Sequence, residues 1–134
     1  MGNWIPNDPT LVAQILKISS AYTPPPPEGF VSPMTWGVEN DVTERFTAAG
    51  VPSDDITFQR DTYRFEYPMQ PDQVVAVFRD YYGPTMNAFA AAEENGRTAD
   101  LENERVALFE EKNESIEDGA TSIPATFLRV TVSL

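Results

Sequence analysis

The stretch AYTPPPPEGFVSPMTWG, Ala21 to Gly37, sets the strongest limit on what this chain can fold into. Four consecutive prolines offer no amide hydrogens and hold a fixed backbone torsion. Such a run fits neither a helix interior nor a central strand, so it predicts a stiff polyproline II spacer. The residue ahead of a proline avoids helical angles, so a preceding helix must stop there. Residues 22–37 are therefore read as a rigid connector between two structured parts of a single domain, 1–134.

Before the connector, Asp8-Pro9 predicts a helix start, with aspartate as cap and proline in the first turn. Leu11, Val12, Ile15, Leu16 and Ile18 follow at helical period, so the helix spans about Pro9 to Ala21. After the connector, Val38, Val42 and Phe46 recur every four residues, and Gly50 is placed to end a helix from Glu39 to Ala49.

The segment ITFQRDTYRFEYP, Ile56 to Pro68, is rich in aromatic and β-branched residues and reads as a strand. Its alternation changes phase. Ile56 and Phe58 share one side, whereas Tyr63, Phe65 and Tyr67 share the other. A bulge near Gln59 to Asp61 is the expected cause, since it would bring all five to one face.

Pro71 opens a third helix with a buried stripe of Val74, Val75, Phe78, Tyr81 and Tyr82. Gly83-Pro84 breaks it, and a helical piece restarts through Met86, Phe89 and Ala90. Thr98 caps a last helix to about Lys112, its apolar side formed by Leu101, Val106, Leu108 and Phe109. Glu93 to Asp118 holds ten acidic and three basic residues, the signature of a solvated face. Leu128, Val130, Val132 and Leu134 then alternate with Arg129, Thr131 and Ser133 as a half-buried strand. Pro124 lies near its start, where a missing amide is tolerated.

Composition excludes several functions. The net charge of −12 argues against nucleic acid, which requires a basic patch, and against anionic membrane surfaces. With no cysteine and no histidine, disulfides, the usual zinc sites, thiol nucleophiles and histidine triads are out of reach. The absence of cysteine agrees with a reducing cytoplasm, the expected location. MGNWIPNDPT lacks the basic start and apolar run of a signal peptide. No apolar stretch has the length to cross a bilayer. Asn113-Glu114-Ser115 matches a glycosylation sequon, a pattern that arises readily by chance. The carboxylate pairs Asp54-Asp55 and Glu110-Glu111 are adjacent in sequence, so their side chains diverge and make poor acid–base partners.

The order of elements and their punctuation resemble the C-terminal half of class I S-adenosylmethionine-dependent methyltransferases, of the type akin to quinone-biosynthesis and small-molecule enzymes. Asn3-Trp4 is similar to the residues just past that family's fifth strand. YTPPPPEGFVSPMTWG resembles the segment between its next two helices. ITFQRDTYRFEYP resembles the sixth strand, VVAVFRDYYGPTMNAF the helix after it, and FLRVTVSL the seventh strand. The likeness runs over essentially the whole chain.

The resemblance implies an α+β chain, a truncated α/β methyltransferase fold. It would consist of an antiparallel strand pair with four to five helices. The family's cofactor half carries a glycine-rich turn. Here the seven glycines are isolated and no G-x-G occurs. No cofactor is therefore expected in this chain, although the family uses S-adenosylmethionine. The implied function is the acceptor-substrate half of a methyltransferase, inactive alone and working with a separate cofactor-binding chain. The alternatives are a non-catalytic small-molecule binder or a dimeric structural module. By the resemblance, the proline connector roofs an acceptor pocket, lined by Trp4, Tyr22, Phe30, Trp36, Tyr82 and Met86; no catalytic or metal-binding residue is assigned. A lone strand pair is marginal in water, and the inner strand, Thr126 to Leu134, would expose an apolar edge. The expected remedy is a homodimer joined through that edge.

Overall fold

The computed structural model describes all 134 residues. Its scaffold is a pair of twelve-residue antiparallel strands, β2 (Ile56–Tyr67) and β3 (Thr121–Val132). Their register runs without interruption from Ile56 opposite Val132 to Tyr67 opposite Thr121. The expected bulge is therefore absent. Successive side chains on a strand point to opposite faces, so the phase change in β2 marks a change of buried face. Ile56 and Phe58 look one way with Leu128, Val130 and Val132. Tyr63, Phe65 and Tyr67 look the other way with Ile123 and Ala125.

Each face is covered where it is apolar. Helix α1 (Leu11–Tyr22), α3 (Pro71–Tyr81), α4 (Gly83–Glu94) and α5 (Thr98–Lys112) form a layer on one side. There Leu11, Val12, Ile15, Val74, Val75, Phe78, Leu108 and Phe109 pack with Ile123 and Ala125 of β3. The rings of Phe65, Phe109 and Tyr82 all pack edge-on against Phe78. On the opposite side, α2 (Glu39–Ala48) and a 3₁₀ turn at Pro33–Gly37 cover the other end of the ladder. Their core is Val42 and Ile5 against Ile56, Leu128 and Val130, with Trp36 and Phe46 at its margin.

A third strand, β1 (Gly2–Trp4), pairs antiparallel with β3, placing Gly2 opposite Arg129 and Trp4 opposite Phe127. The sheet order is β1-β3-β2, so three strands replace the expected pair. The inner edge of β3 is consequently not bare. Met1 exchanges backbone hydrogen bonds with Val130, and the amide of Thr126 donates to Thr10 Oγ1 at 2.8 Å. The edge on which a homodimer was expected is thus occupied by the chain's own first ten residues.

Several local details differ from the sequence reading. Helix α1 begins at Leu11, because Asp8 is used in a turn: its carboxylate accepts from the Thr10 amide and hydroxyl. Helix α5 begins at Thr98 with Arg97 as the flanking residue, so Thr98 does not cap it. The break at Gly83-Pro84 is as expected, but α4 buries Thr85, Ala88, Phe89 and Ala92 rather than Met86 and Ala90. Small residues at 88 and 92 let α4 approach α1 closely. Tyr81, at the end of α3, is 82% exposed because no element covers that turn. The Asn113 side chain bonds the Ala120 carbonyl and the Ser122 amide, fastening the loop after α5 to the start of β3. No helix is long and apolar enough to cross a membrane.

Candidate functional site

The connector is anchored at its end by a glycine. A side chain at Gly37 would place its Cβ 2.0 Å from the Trp4 carbonyl oxygen, so only glycine permits this backbone approach. The contact presses the Pro33–Gly37 turn onto the C-terminal end of β1. In a tight 3₁₀ turn, residues two apart project in different directions. Met34 therefore points toward α1, whereas Trp36 turns to the opposite side of the sheet.

A cleft of about 480 Å³ opens at this junction. Trp4 supplies its sheet wall, Leu16 and Ser20 its α1 wall, and Ser32, Pro33 and Met34 its connector wall. Tyr82 and Pro84, at the bend between α3 and α4, complete it. A second hollow of about 420 Å³, between Trp4, Tyr63, Phe65 and Phe127, shares Gly2, Asn3 and Trp4 with the first. The Trp4 ring stands edge-on to Phe127 at 6.1 Å. Asn3 Nδ2, on the face of the sheet opposite Trp4, is buried without a hydrogen-bond acceptor.

Of the six residues expected to line a pocket, the structure brings together Trp4 and Tyr82 alone. Tyr22 is buried at the end of α1 with Ala88, Phe89, Ala92 and Leu101, its ring capped by the Arg97 guanidinium at 4.4 Å. It serves packing. Trp36 lies on the other face, edge-on to Phe46 and beneath Arg45 at 4.4 Å. Phe30 is 55% exposed in the connector and does not line the cleft. Met86 faces outward from α4, in a separate surface hollow with Arg79 and Phe89. The connector does contribute to the cleft, but through Met34 and Pro33 rather than through its aromatic residues.

Sequence reasoning missed Arg105. This side chain is fully buried between three helices. It donates to Thr85 Oγ1 of α4 at 3.0 Å and to Ser19 Oγ of α1, and its Nε has no partner. No carboxylate pairs with it, although its own helix carries five acidic residues. Burial of an unpaired cation is costly, and it lowers the Arg105 guanidinium to about 10. Tyr82 responds in kind. Burial pushes its phenol up, and the Arg105 charge opposes that shift. A signal was present in the sequence: Leu101, Arg105, Leu108 and Phe109 are spaced i, i+4, i+7, i+8, so Arg105 sits within the apolar stripe. Val106, assigned to that stripe from sequence, is half-buried at its border.

S-adenosylmethionine does not fit the residues present. The cofactor cradle of the resembled methyltransferases needs glycines whose missing side chains make room for the ligand. Here the approach made possible by Gly37 is filled by the chain's own Trp4 backbone, and Gly29, Gly50, Gly83, Gly96 and Gly119 face open space. No group of three or more acidic side chains is arranged to hold a metal ion. No protein-family model, curated protein or solved structure matches the chain.

Proposed function

We propose that this chain is the acceptor-substrate half of a class I S-adenosylmethionine-dependent methyltransferase, without activity on its own. The sheet order carries the reading. The resembled fold ends with its seventh strand between the fifth and sixth, antiparallel to both. β3 lies between β1 and β2 and is antiparallel to both. β1 is paired on one side only, and its outer edge is where the missing strands of a cofactor-binding half would add. The cleft supports the same reading, because ligands of open α/β sheets bind at the carboxyl ends of parallel strands. Trp4 stands at that end of β1.

The cofactor would come from a separate chain that extends the sheet from β1. Self-association through β3 is less well supported than the sequence suggested, since β1 and Thr10 occupy much of that edge.

Calorimetry with S-adenosylmethionine tests the division of labour. The chain alone should show no binding at micromolar concentration; binding there would overturn the reading. Trp4 fluorescence in a Trp36→Phe variant tests the cleft. Quenching by small apolar phenols without any cofactor supports an acceptor site. If a tightly held apolar molecule copurifies and no cofactor chain can be paired with this one, the non-catalytic binding module is favoured instead.

A further inference from the structure

We propose that the cleft selects an apolar molecule bearing a negative charge, and that Arg105 is the positioning residue that imposes this choice from behind the cleft wall. The inference deepens the acceptor-cleft reading and rests on it. Two features converge. The first is the placement of Arg105. Its two hydroxyl partners, Ser19 and Thr85, are the immediate chain neighbours of Ser20 and Pro84, which line the cleft. Tyr82, another wall residue, stands near enough for the Arg105 charge to act on its phenol. The second is the state of the charge itself: the Arg105 guanidinium has no carboxylate partner and its Nε is buried without an acceptor, in a chain of net charge −12.

A purely structural role does not account for this choice of residue. Three helices can be joined by an apolar side chain of similar volume, and such replacements of buried charges are often neutral or stabilising. Arginine at 105 keeps an uncompensated positive charge where water does not screen it. An anion in the adjacent cleft gains from that field, and a neutral molecule of the same shape does not. Tyr82 lines the cleft and lies within reach of the Arg105 charge.

The test uses two probes of similar shape, anionic 8-anilino-1-naphthalenesulfonate and neutral N-phenyl-1-naphthylamine. Both are titrated into the Trp36→Phe variant, so that energy transfer from Trp4 reports binding near the cleft. The anionic probe should bind about tenfold more tightly than the neutral one. In Arg105→Met the preference should fall to within about twofold, with a melting temperature equal to or above that of the parent. Equal affinities in the parent overturn the proposal. A preference that survives in Arg105→Met, or a lower melting temperature with the preference intact, assigns Arg105 to the scaffold and overturns it too. Should Arg105→Met fail to fold, the affinity ratio in the parent decides. If neither probe takes up energy from Trp4, the acceptor-cleft reading itself fails, an outcome distinct from equal binding.

Discussion

The two faces of the sheet are built to different depths. One carries four helices and a continuous core of ten buried residues, with a further cluster of five between α1, α4 and α5. The other carries one helix and a turn over five buried residues. The cleft, the buried Arg105 and the bend at Tyr82 all belong to the deep side. The shallow side holds Trp36, Phe46 and Arg45 in packing contacts. The contrast teaches that a buried charge and a cleft are tolerated where surplus apolar packing offsets them. The thin layer has no such reserve, and its aromatics are used to close it.

Substitutions break this comparison in a definite order. Phe109→Ala removes the centre of the deep core and should cost about 3–5 kcal/mol, enough to unfold much of the population at 37 °C. Chemical denaturation monitored by circular dichroism measures it. Gly37→Ala forces the Pro33–Gly37 turn off the Trp4 backbone. It should cost about 1–3 kcal/mol and weaken probe binding near Trp4 at the same time, because the cleft loses its connector wall. On the shallow side, Phe46→Ala exposes a half-buried ring and should cost about 1 kcal/mol without effect on the cleft. A loss from Phe46→Ala equal to that from Phe109→Ala would erase the distinction between the faces. The smallest effect is expected at the Asp61–Arg129 ion pair, 2.6 Å apart on the sheet surface. Asp61→Asn should change stability by about 1 kcal/mol or less, since the Arg129 side of the pair is more than half exposed and screened by water.

Arg105 sharpens the comparison through pH. Its folded pKa, about 10, lies below its ordinary value, so between these values the unfolded chain holds more protons. The contribution of this group to stability therefore rises with pH in that window, as the buried charge is discharged. Below about 10 both states are charged and the burial cost is complete. Any stability advantage of Arg105→Met measured near neutrality should accordingly shrink above that pH. An advantage that stays constant would mean that the charge is not the cause.

Much of this architecture was legible from local pattern. The helices follow from apolar period and from the proline and glycine stops, and the long strands from their aromatic and β-branched content. The phase change in β2 was visible as well, but alternation alone cannot separate a bulge from burial on two faces. Both shift the apolar residues by one position, and only the register with β3 decides. β1 was hidden because three residues carry no period; its pairing is set by contacts with residues more than a hundred positions away. The cleft was half legible. Trp4 and Tyr82 meet because the end of β1 and the α3–α4 bend converge. Trp36 is turned away by the geometry of a five-residue turn that composition does not reveal. Arg105 escaped notice because charge in an acidic helix suggests solvent, whereas its spacing placed it inside.

The fold and the proposed function both depend on a sheet in the order β1-β3-β2, closed on the inner side of β3 by residues 1–10 and open beyond β1. Backbone nuclear Overhauser effects on uniformly labelled protein test it directly. The expected result is cross-strand contacts from Gly2 to Arg129 and from Trp4 to Phe127 within one molecule, together with an unbroken ladder from Phe58–Val130 to Phe65–Ile123. Contacts at Phe127 to Arg129 that arise between two copies, or a β2 ladder that slips by one residue near Asp61, would contradict it.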